Sequence, residues 1–544
     1  MWKQPFTKLR WTIIAASMSL SVLSIPWAVD AVNAFADDKA HKQKNVNVQL
    51  LGINDFHGQL DTYDKKLNAG GAEYLAAYLK KREAANPKNT LMVHAGDEVG
   101  ASSPVSALLE DEPTIEFLNH TGFDVGTVGN HEFDEGVGEM LRLINGGSNP
   151  KTVDKYGKFE GANFPYVAAN VIDKKTNKPL LPPYVIKKVG GVPIGFIGIA
   201  LSDTPSVVMP GGTDGVRFTD ETKAINKYAG KLKAKGIKSI VVLAHNPATS
   251  NEDGSKASGE LVDIAKGADD EVDVLFGGHN HALTNTTVDH KLLVESYSYG
   301  TAFSDVHLVI NPVTKDIFKK KAEIVITHRD KIKPDAKTKK MVDNYTADVA
   351  PILSQKIGKA SSPISKQQNA NGESPLGNMI ADAMRAQTHT EFAFMNPGGI
   401  RADIDAGEIL WKEIFTAQPF GNDLVKMELT GDQVKQLLNQ QWADPEKTNI
   451  LQISGLNVKY VDSRREGDRI VEATLPDGTA IVPSKTYTAT VNSFMASGGD
   501  GFTALKDGKN KMVDIPDLDA LINYIKSKGE VYPAIEGRIT KLSK

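Results

Sequence analysis

Five of the chain's twelve histidines fall in one ordered series of short motifs. The series runs Asn54-Asp55-Phe56-His57-Gly58, Ala95-Gly96-Asp97, Gly129-Asn130-His131-Glu132-Phe133-Asp134, Ala244-His245-Asn246-Pro247 and Gly277-Gly278-His279-Asn280-His281. Aspartate, asparagine and histidine offer the oxygen and nitrogen atoms that divalent metals take as ligands. The set is large enough for two metals, and a two-metal centre is suited to phosphoester hydrolysis. Asp97 follows a glycine, which lets backbone and metal approach closely, and its carboxylate suits a bridge between two cations. Asp55 and His57 are two residues apart, as are His279 and His281; on a strand that spacing turns both side chains to one side. Each motif alone is weak, and the weight lies in all five occurring in order.

The elements that must position these residues are short apolar runs. Val46 to Ile53, Leu91 to Val93, Val125 to Val128, Ile194 to Ile199, Ile240 to Leu243 and Val272 to Phe276 read as buried strands. Gly71 to Glu83 and Ser103 to Leu118 read as helices between them. Asp55, Asp97, Asn130, His245 and His279 each follow a strand, where sites in open α/β sheets gather. The segment 46–326 is thus expected to be a layered α/β domain. Residues 327–362 form a lysine-rich stretch with apolar Met341, Val342, Tyr345, Val349 and Leu353 at helical spacing, read as a helical connector. A second, smaller α/β unit is expected over 363–541. It has a helix from Pro375 to Gln387, a capping box at Thr430-Gly431-Asp432-Gln433, and strands over 456–461, 470–475 and 487–491.

The 544 residues are long enough for two or more domains, and 40% hydrophobic with 24% charged residues is ordinary for a globular protein. A net charge of −4 gives no general attraction for nucleic-acid polymers or anionic lipid, so an anionic substrate must be met by local charge. Residues 1–36 read as a secretory signal peptide: Lys3, Lys8 and Arg10, an apolar run from Trp11 to Val29, then Ala34-Phe35-Ala36. The mature chain is expected to be exported and soluble, as a secreted, cell-surface or periplasmic protein. The chain has no cysteine, which excludes disulfides, thiolate metal sites and cysteine nucleophiles.

The five motifs resemble those of the metallophosphoesterases, and more closely of the secreted 5′-nucleotidase family, over essentially the whole mature chain. That family includes UDP-sugar hydrolases and 2′,3′-cyclic-nucleotide phosphodiesterase/3′-nucleotidases. The resemblance implies a layered α/β/β/α metallophosphoesterase domain, then a smaller α/β substrate-binding domain. It implies one metal on Asp55, His57, Asp97 and His281, and another on Asp97, Asn130, His245 and His279; many relatives carry glutamine at the place of His281. Zinc, manganese and cobalt all suit these donors. It further implies His131 and Asp134 as a catalytic dyad, with Asp134 orienting His131 and raising its pKa.

In the second unit three clusters stand out: Asn396-Pro397-Gly398-Gly399-Ile400-Arg401, Gln418-Pro419-Phe420-Gly421-Asn422, and Ser493-Phe494 through Asp500-Gly501. By themselves Phe420 and Phe494 suit a core, and Arg401 a surface ion pair. The resemblance implies instead that the phenylalanines sandwich a nucleobase, that Asp500 binds ribose hydroxyls, and that Asn396, Gly399 and Arg401 line the substrate. Family members change interdomain angle in turnover, and 327–362 is the natural place for such a hinge. Pro375 stands where several 5′-nucleotidases carry an arginine, so one guanidinium of the phosphate clamp is expected to be missing. The expected activity is release of phosphate and nucleoside from a 5′-nucleotide. A cyclic-nucleotide or 3′-nucleotide hydrolase, a nucleotide-sugar or di- and triphosphate hydrolase, and a catalytically silent nucleotide-binding protein are the alternatives.

Overall fold

Two sheets packed face to face form the centre of the first domain. The computed structural model describes residues 44–208, 211–443 and 448–542; the leader expected over 1–36 lies outside them. One sheet has five strands in the order Ile317–Ile326, Ala302–Ile310, Val46–Ile53, Thr90–His94, Val125–Gly126. Val46–Ile53 is parallel to Thr90–His94, with Leu51 opposite Met92, and antiparallel to Ala302–Ile310. The second sheet has six strands: Leu283–Val288, Lys291–Ser296, Val272–Phe276, Ser239–Ala244, Val192–Ile199, Tyr184–Val189.

Alternate residues of each strand feed different cores. Val48, Leu50 and Val93 meet Phe196, Val241, Leu243 and Phe276 between the sheets. Leu51, Ile53 and Met92 face outward onto the helices Ala72–Glu83 and Glu112–Thr121. Ile240 and Val242 face the helices Glu221–Ala234 and Glu260–Gly267 on the other side. The result is helix, sheet, sheet, helix, and buried runs such as Ser239–Ala244 are apolar on both faces because both faces are covered.

The expected helix from Ser103 to Leu118 is two helices, Pro104–Ala107 and Glu112–Thr121, because Asp111 takes a left-handed conformation (φ 56°) between them. The lysine-rich stretch holds the helix Ala336–Leu353, whose Val342, Val349 and Leu353 join the core of the first domain's helical layer. Asp335 caps it by accepting from the Thr338 N–H.

The second domain centres on a five-stranded sheet in the order Gln452–Ser454, Phe392–Met395, Thr486–Asn492, Asp423–Thr430, Lys509–Pro516. Helix Pro375–Thr388 packs against it beside Asp517–Lys528, and Thr430 and Gln433 close the capping box of Gly431–Asn439. Among the described residues no helix is long and apolar enough to cross a membrane.

Candidate metal and nucleotide site

The motifs leave neighbouring strand ends and converge, but strand alternation is not what aims them. Asp55 and His57 lie past the end of their strand with φ of 52° and 50°. Asp97 (54°), His279 (84°) and His281 (57°) are left-handed as well. The spacing of two therefore works through tight turns, correcting the strand-based expectation. A left-handed non-glycine residue costs on the order of 1–2 kcal/mol, so the turns must be held from outside. The Asp55 N–H donates to the Gly96 carbonyl and the His57 N–H to the Asp97 carbonyl, both at 3.0 Å. The Asp55 carboxylate accepts the His279 N–H at 3.0 Å. Gly96 is required by close approach: a Cβ there would sit 2.3 Å from the Gly129 nitrogen.

Ligand atoms gather in three overlapping groups, each within 4.8 Å: Asp55 with His57 and His281, Asp97 with His245 and His279, and His57 with Asp97 and His131. Asn130 joins the second, its Oδ1 lying 2.8 Å from His279 Nδ1. These residues fit divalent metals by their own chemistry. His57 Nδ1 is 2.7 Å from the Gly100 carbonyl oxygen and His245 Nδ1 is 2.9 Å from that of Ala95. Each Nδ1–H donates there, which fixes the ring and turns Nε2 toward the ligand cluster as the metal-binding atom. Both Nε2 atoms are buried; that of His57 has no hydrogen-bond partner, and that of His245 lies 3.0 Å from Asp97 Oδ2. Burial raises the Asp55 carboxyl, but hydrogen bonding to His281 and the His281 and His245 charges bring it down to about 2. Asp97 is likewise held well below the carboxylate range, burial being outweighed by His245 and His131. Burial first, and then the His131 charge, keep His57 far below the usual histidine value. Burial also brings His279 down to about 4, whereas His245, although burial opposes its charge, is raised to about 10 by the Asp97 and Asp55 carboxylates, so the two ionised carboxylates of this dry site hold positive charge where a cation would sit.

His131 opens a short 3₁₀ turn, His131–Phe133; its ring sits edge-on to His57 with centroids 4.9 Å apart and lines a cleft. Its Nδ1 is 2.7 Å from Asp134 Oδ2, and its backbone N–H donates to Asp97 Oδ1 at 2.8 Å. Burial lowers its pKa, but Asp134 and Asp97 outweigh that and favour the imidazolium.

The same cleft is lined by Asn130, Asp134 and His279 of the first domain and by Asn396, Gly399, Arg401, Phe420, Phe494 and Asp500 of the second. All six expected substrate residues are thus brought to the dyad. Phe420 stacks on His131 with ring centroids 5.7 Å apart, and the Arg401 guanidinium lies 5.6 Å from the Phe420 centroid. Asn396 Nδ2 donates to Asp500 Oδ2 at 2.8 Å. The Phe494 ring lies so close to Gly499 that a Cβ there would be 2.5 Å from it. Pro375 is different. It starts helix Pro375–Thr388 and lines a separate surface depression with Tyr524, Lys528 and Tyr532. It is not among the cleft residues, so the reading of a clamp altered at Pro375 finds no geometric support.

Sequence reasoning missed four contributors. Glu132 accepts the backbone N–H groups of Asp97, Glu98 and Gly129 at 3.0, 3.0 and 2.6 Å, tying two ligand loops together. Tyr299 packs edge-on against His57 and His281, and its hydroxyl accepts from Arg401 Nη2 at 3.4 Å. Asn492 Nδ2 donates to Asn396 Oδ1 at 2.9 Å, and Asn422 Oδ1 accepts the Phe494 N–H at 3.0 Å. Glu132 and Asn422 stand inside the motifs without an assigned role, and the one local signal for Asn492 is that it precedes Ser493-Phe494. His94, outside the motifs, is a core residue among Phe123, Phe164 and Tyr166.

Two family models match, calcineurin-like phosphoesterase over residues 48–283 and 5′-nucleotidase C-terminal domain over residues 356–507. The chain is 35% identical over 572 residues to the cell wall protein Lmo0130 of Listeria monocytogenes, covering 96% of this chain and 71% of that one. It is 43% identical over 509 residues to the endonuclease YhcR of Bacillus subtilis; 91% of this chain is covered but only 41% of YhcR. Among solved structures, the 5′-nucleotidase precursor of Thermus thermophilus superposes with a TM-score of 0.79 at 28% identity, covering 92% of this chain and 100% of that one.

Proposed function

This chain belongs to the 5′-nucleotidase family, a calcineurin-like phosphoesterase domain joined to a 5′-nucleotidase C-terminal domain, and from that premise we propose that it is an exported two-metal hydrolase of 5′-nucleotides. The observation that carries the reading is the shared cleft: the His131–Asp134 pair, the edge of the metal-ligand cluster and the two phenylalanines line one cavity.

Asp55, His57 and His281 would hold one metal, Asn130, His245 and His279 the other, with Asp97 between them. When bound, two divalent metals supply a nucleophilic water at neutral pH and Lewis acidity toward phosphoryl oxygens. The protein's residues do the rest. His131, kept protonated by Asp134, donates to a phosphoryl oxygen or to the departing ribose oxygen. Arg401 pairs with the phosphate. Phe420 and Phe494 stack on the base, which is tolerant of base identity. Asp500, oriented by Asn396, accepts from ribose hydroxyls. Exclusion of water by the buried ligand cluster strengthens each of these charge interactions.

Export is supported by the leader-like first 36 residues and by the likeness to a cell wall protein. Phosphate release measured on AMP, 3′-AMP, 2′,3′-cyclic AMP, ADP and a UDP-sugar across zinc, manganese and cobalt tests the substrate. AMP is expected to lead; a preference for 2′,3′-cyclic AMP or 3′-AMP would replace the 5′ reading. An unprocessed N-terminus on protein recovered outside the cytoplasm would count against the signal peptide.

A further inference from the structure

We propose that Asn422 is a positioning residue that fixes the separation of the two aromatic walls, and so selects substrates that carry a base without taking part at the phosphate. The inference rests on the nucleotide reading above. Phe420 sits on the loop between helix Trp411–Ala417 and strand Asp423–Thr430, whereas Phe494 lies at the start of the short helix Ser493–Ala496. The strands behind them pair antiparallel, and the last pair toward the cleft is Leu424 with Asn492. Past that point no ladder bond holds the two loops together.

Asn422 supplies the missing crosslink. Its Oδ1 accepts from the Phe494 N–H and from the Ser493 hydroxyl, both at 3.0 Å. Ser493 Oγ in turn accepts the Asp423 N–H at 3.3 Å. On the other side, the Asn422 carbonyl accepts the Asp517 N–H at 2.8 Å, anchoring the loop to helix Asp517–Lys528. Asn422 is 3% exposed. One residue therefore joins the Phe420 loop, the Phe494 segment and a helix start, through its side-chain oxygen to the segment and its main-chain carbonyl to the helix, and two donors on Oδ1 fix which way the side-chain amide points. An apolar replacement takes the acceptor from two part-buried donors, which frees the Phe494 segment. The Phe494 ring lies against Gly499 and lines the cleft that Phe420 also lines, so a displacement of its segment moves one of the two aromatic walls.

The test compares kcat/KM for AMP and for ribose 5-phosphate, which has no base, in wild type, Asn422→Ala, Phe494→Ala and the double variant. Asn422→Ala is expected to lower kcat/KM for AMP about tenfold through KM, and that for ribose 5-phosphate by no more than about twofold. In the Phe494→Ala background the further loss on AMP is expected to be within about twofold, because both changes act on one wall. Equal losses on both substrates, or a full additive loss in the double variant, would overturn the proposal. Ser493→Ala removes one of the two donors and serves if Asn422→Ala does not fold; about threefold on AMP alone is expected, and no selective change counts against the proposal. Wild-type turnover separates the two levels of the account: hydrolysis of neither substrate removes the nucleotidase reading and this inference with it. Hydrolysis of both, with a non-selective Asn422→Ala, removes only the inference.

Discussion

Asp517→Asn changes a buried carboxyl behind the proposed nucleoside pocket without touching the cleft. Asp517 is 3% exposed and sits at the start of helix Asp517–Lys528, where its N–H holds the Phe420 loop. Its Oδ1 and the Gln418 Oε1 are both buried without a donor, and the two side chains meet only through Gln418 Nε2 and Asp517 Oδ2 at 3.4 Å. Burial first, then the charges of Asp423 and Asp519, push the carboxyl up to about 8 from 3.8. The folded-state pKa is raised, so the contribution to stability is complete below about pH 4, where both states are protonated. It is lost as pH rises toward about 8, because the unfolded chain ionises while the folded one resists. The loss runs at about 1.4 kcal/mol per pH unit, or roughly 4 kcal/mol by pH 7. Asparagine keeps the shape, never ionises and adds two donors. Calorimetric melting of wild type and Asp517→Asn from pH 4 to pH 8 is the assay. The variant is expected to match wild type at pH 4 and to gain steadily above it, by about 2–4 °C for each kcal/mol in the second domain's transition. A difference independent of pH, or a variant that is less stable at pH 7, would refute the reasoning.

Three further outcomes follow from the site. His131→Ala is expected to lower kcat for AMP by about 10²- to 10⁴-fold with KM changed only a few-fold, since His131 acts on charge that develops in the transition state; steady-state kinetics at saturating metal decide it. Phe420→Ala is expected to raise KM for AMP by about 5- to 150-fold and to spare ribose 5-phosphate, the size of one lost stacking face. Glu132→Ala removes the acceptor of three backbone N–H groups behind Asp97 and Gly129. It is expected to weaken manganese binding about 10- to 100-fold in titration calorimetry, as loss of support behind metal ligands does.

Much of this was legible because buried parallel strands are continuous apolar runs and their ends carry the ligands. Val46 to Ile53 and Val272 to Phe276 were read at their observed bounds. The strands Leu283–Val288 and Ile317–Ile326 escaped. The first is a polar Thr-Asn-Thr-Thr strand at a sheet edge; the second carries Lys319, Lys320 and Lys321, the charge with which edge strands avoid further pairing. The ligand residues were legible as motifs, but their left-handed turns were not, since aspartate and histidine, though enriched in that conformation, far more often adopt others. The contacts of Asn422, which stands in a cluster the sequence shows, and those of Asn492 and Tyr299 were hidden for another reason. Their partners are 72, 96 and 102 residues away along the chain, and only the folded topology brings them together.

The central claim is that Asp55, His57, Asp97, Asn130, His245, His279 and His281 hold two metals that the nucleotide reaction requires. Phosphate release from AMP by the mature chain, stripped with EDTA and then titrated with manganese while bound metal is counted, tests it most directly. The account expects no turnover in the stripped protein and activity restored as bound metal reaches about two per chain. Full activity after stripping, or activity that saturates at one metal per chain, would contradict it.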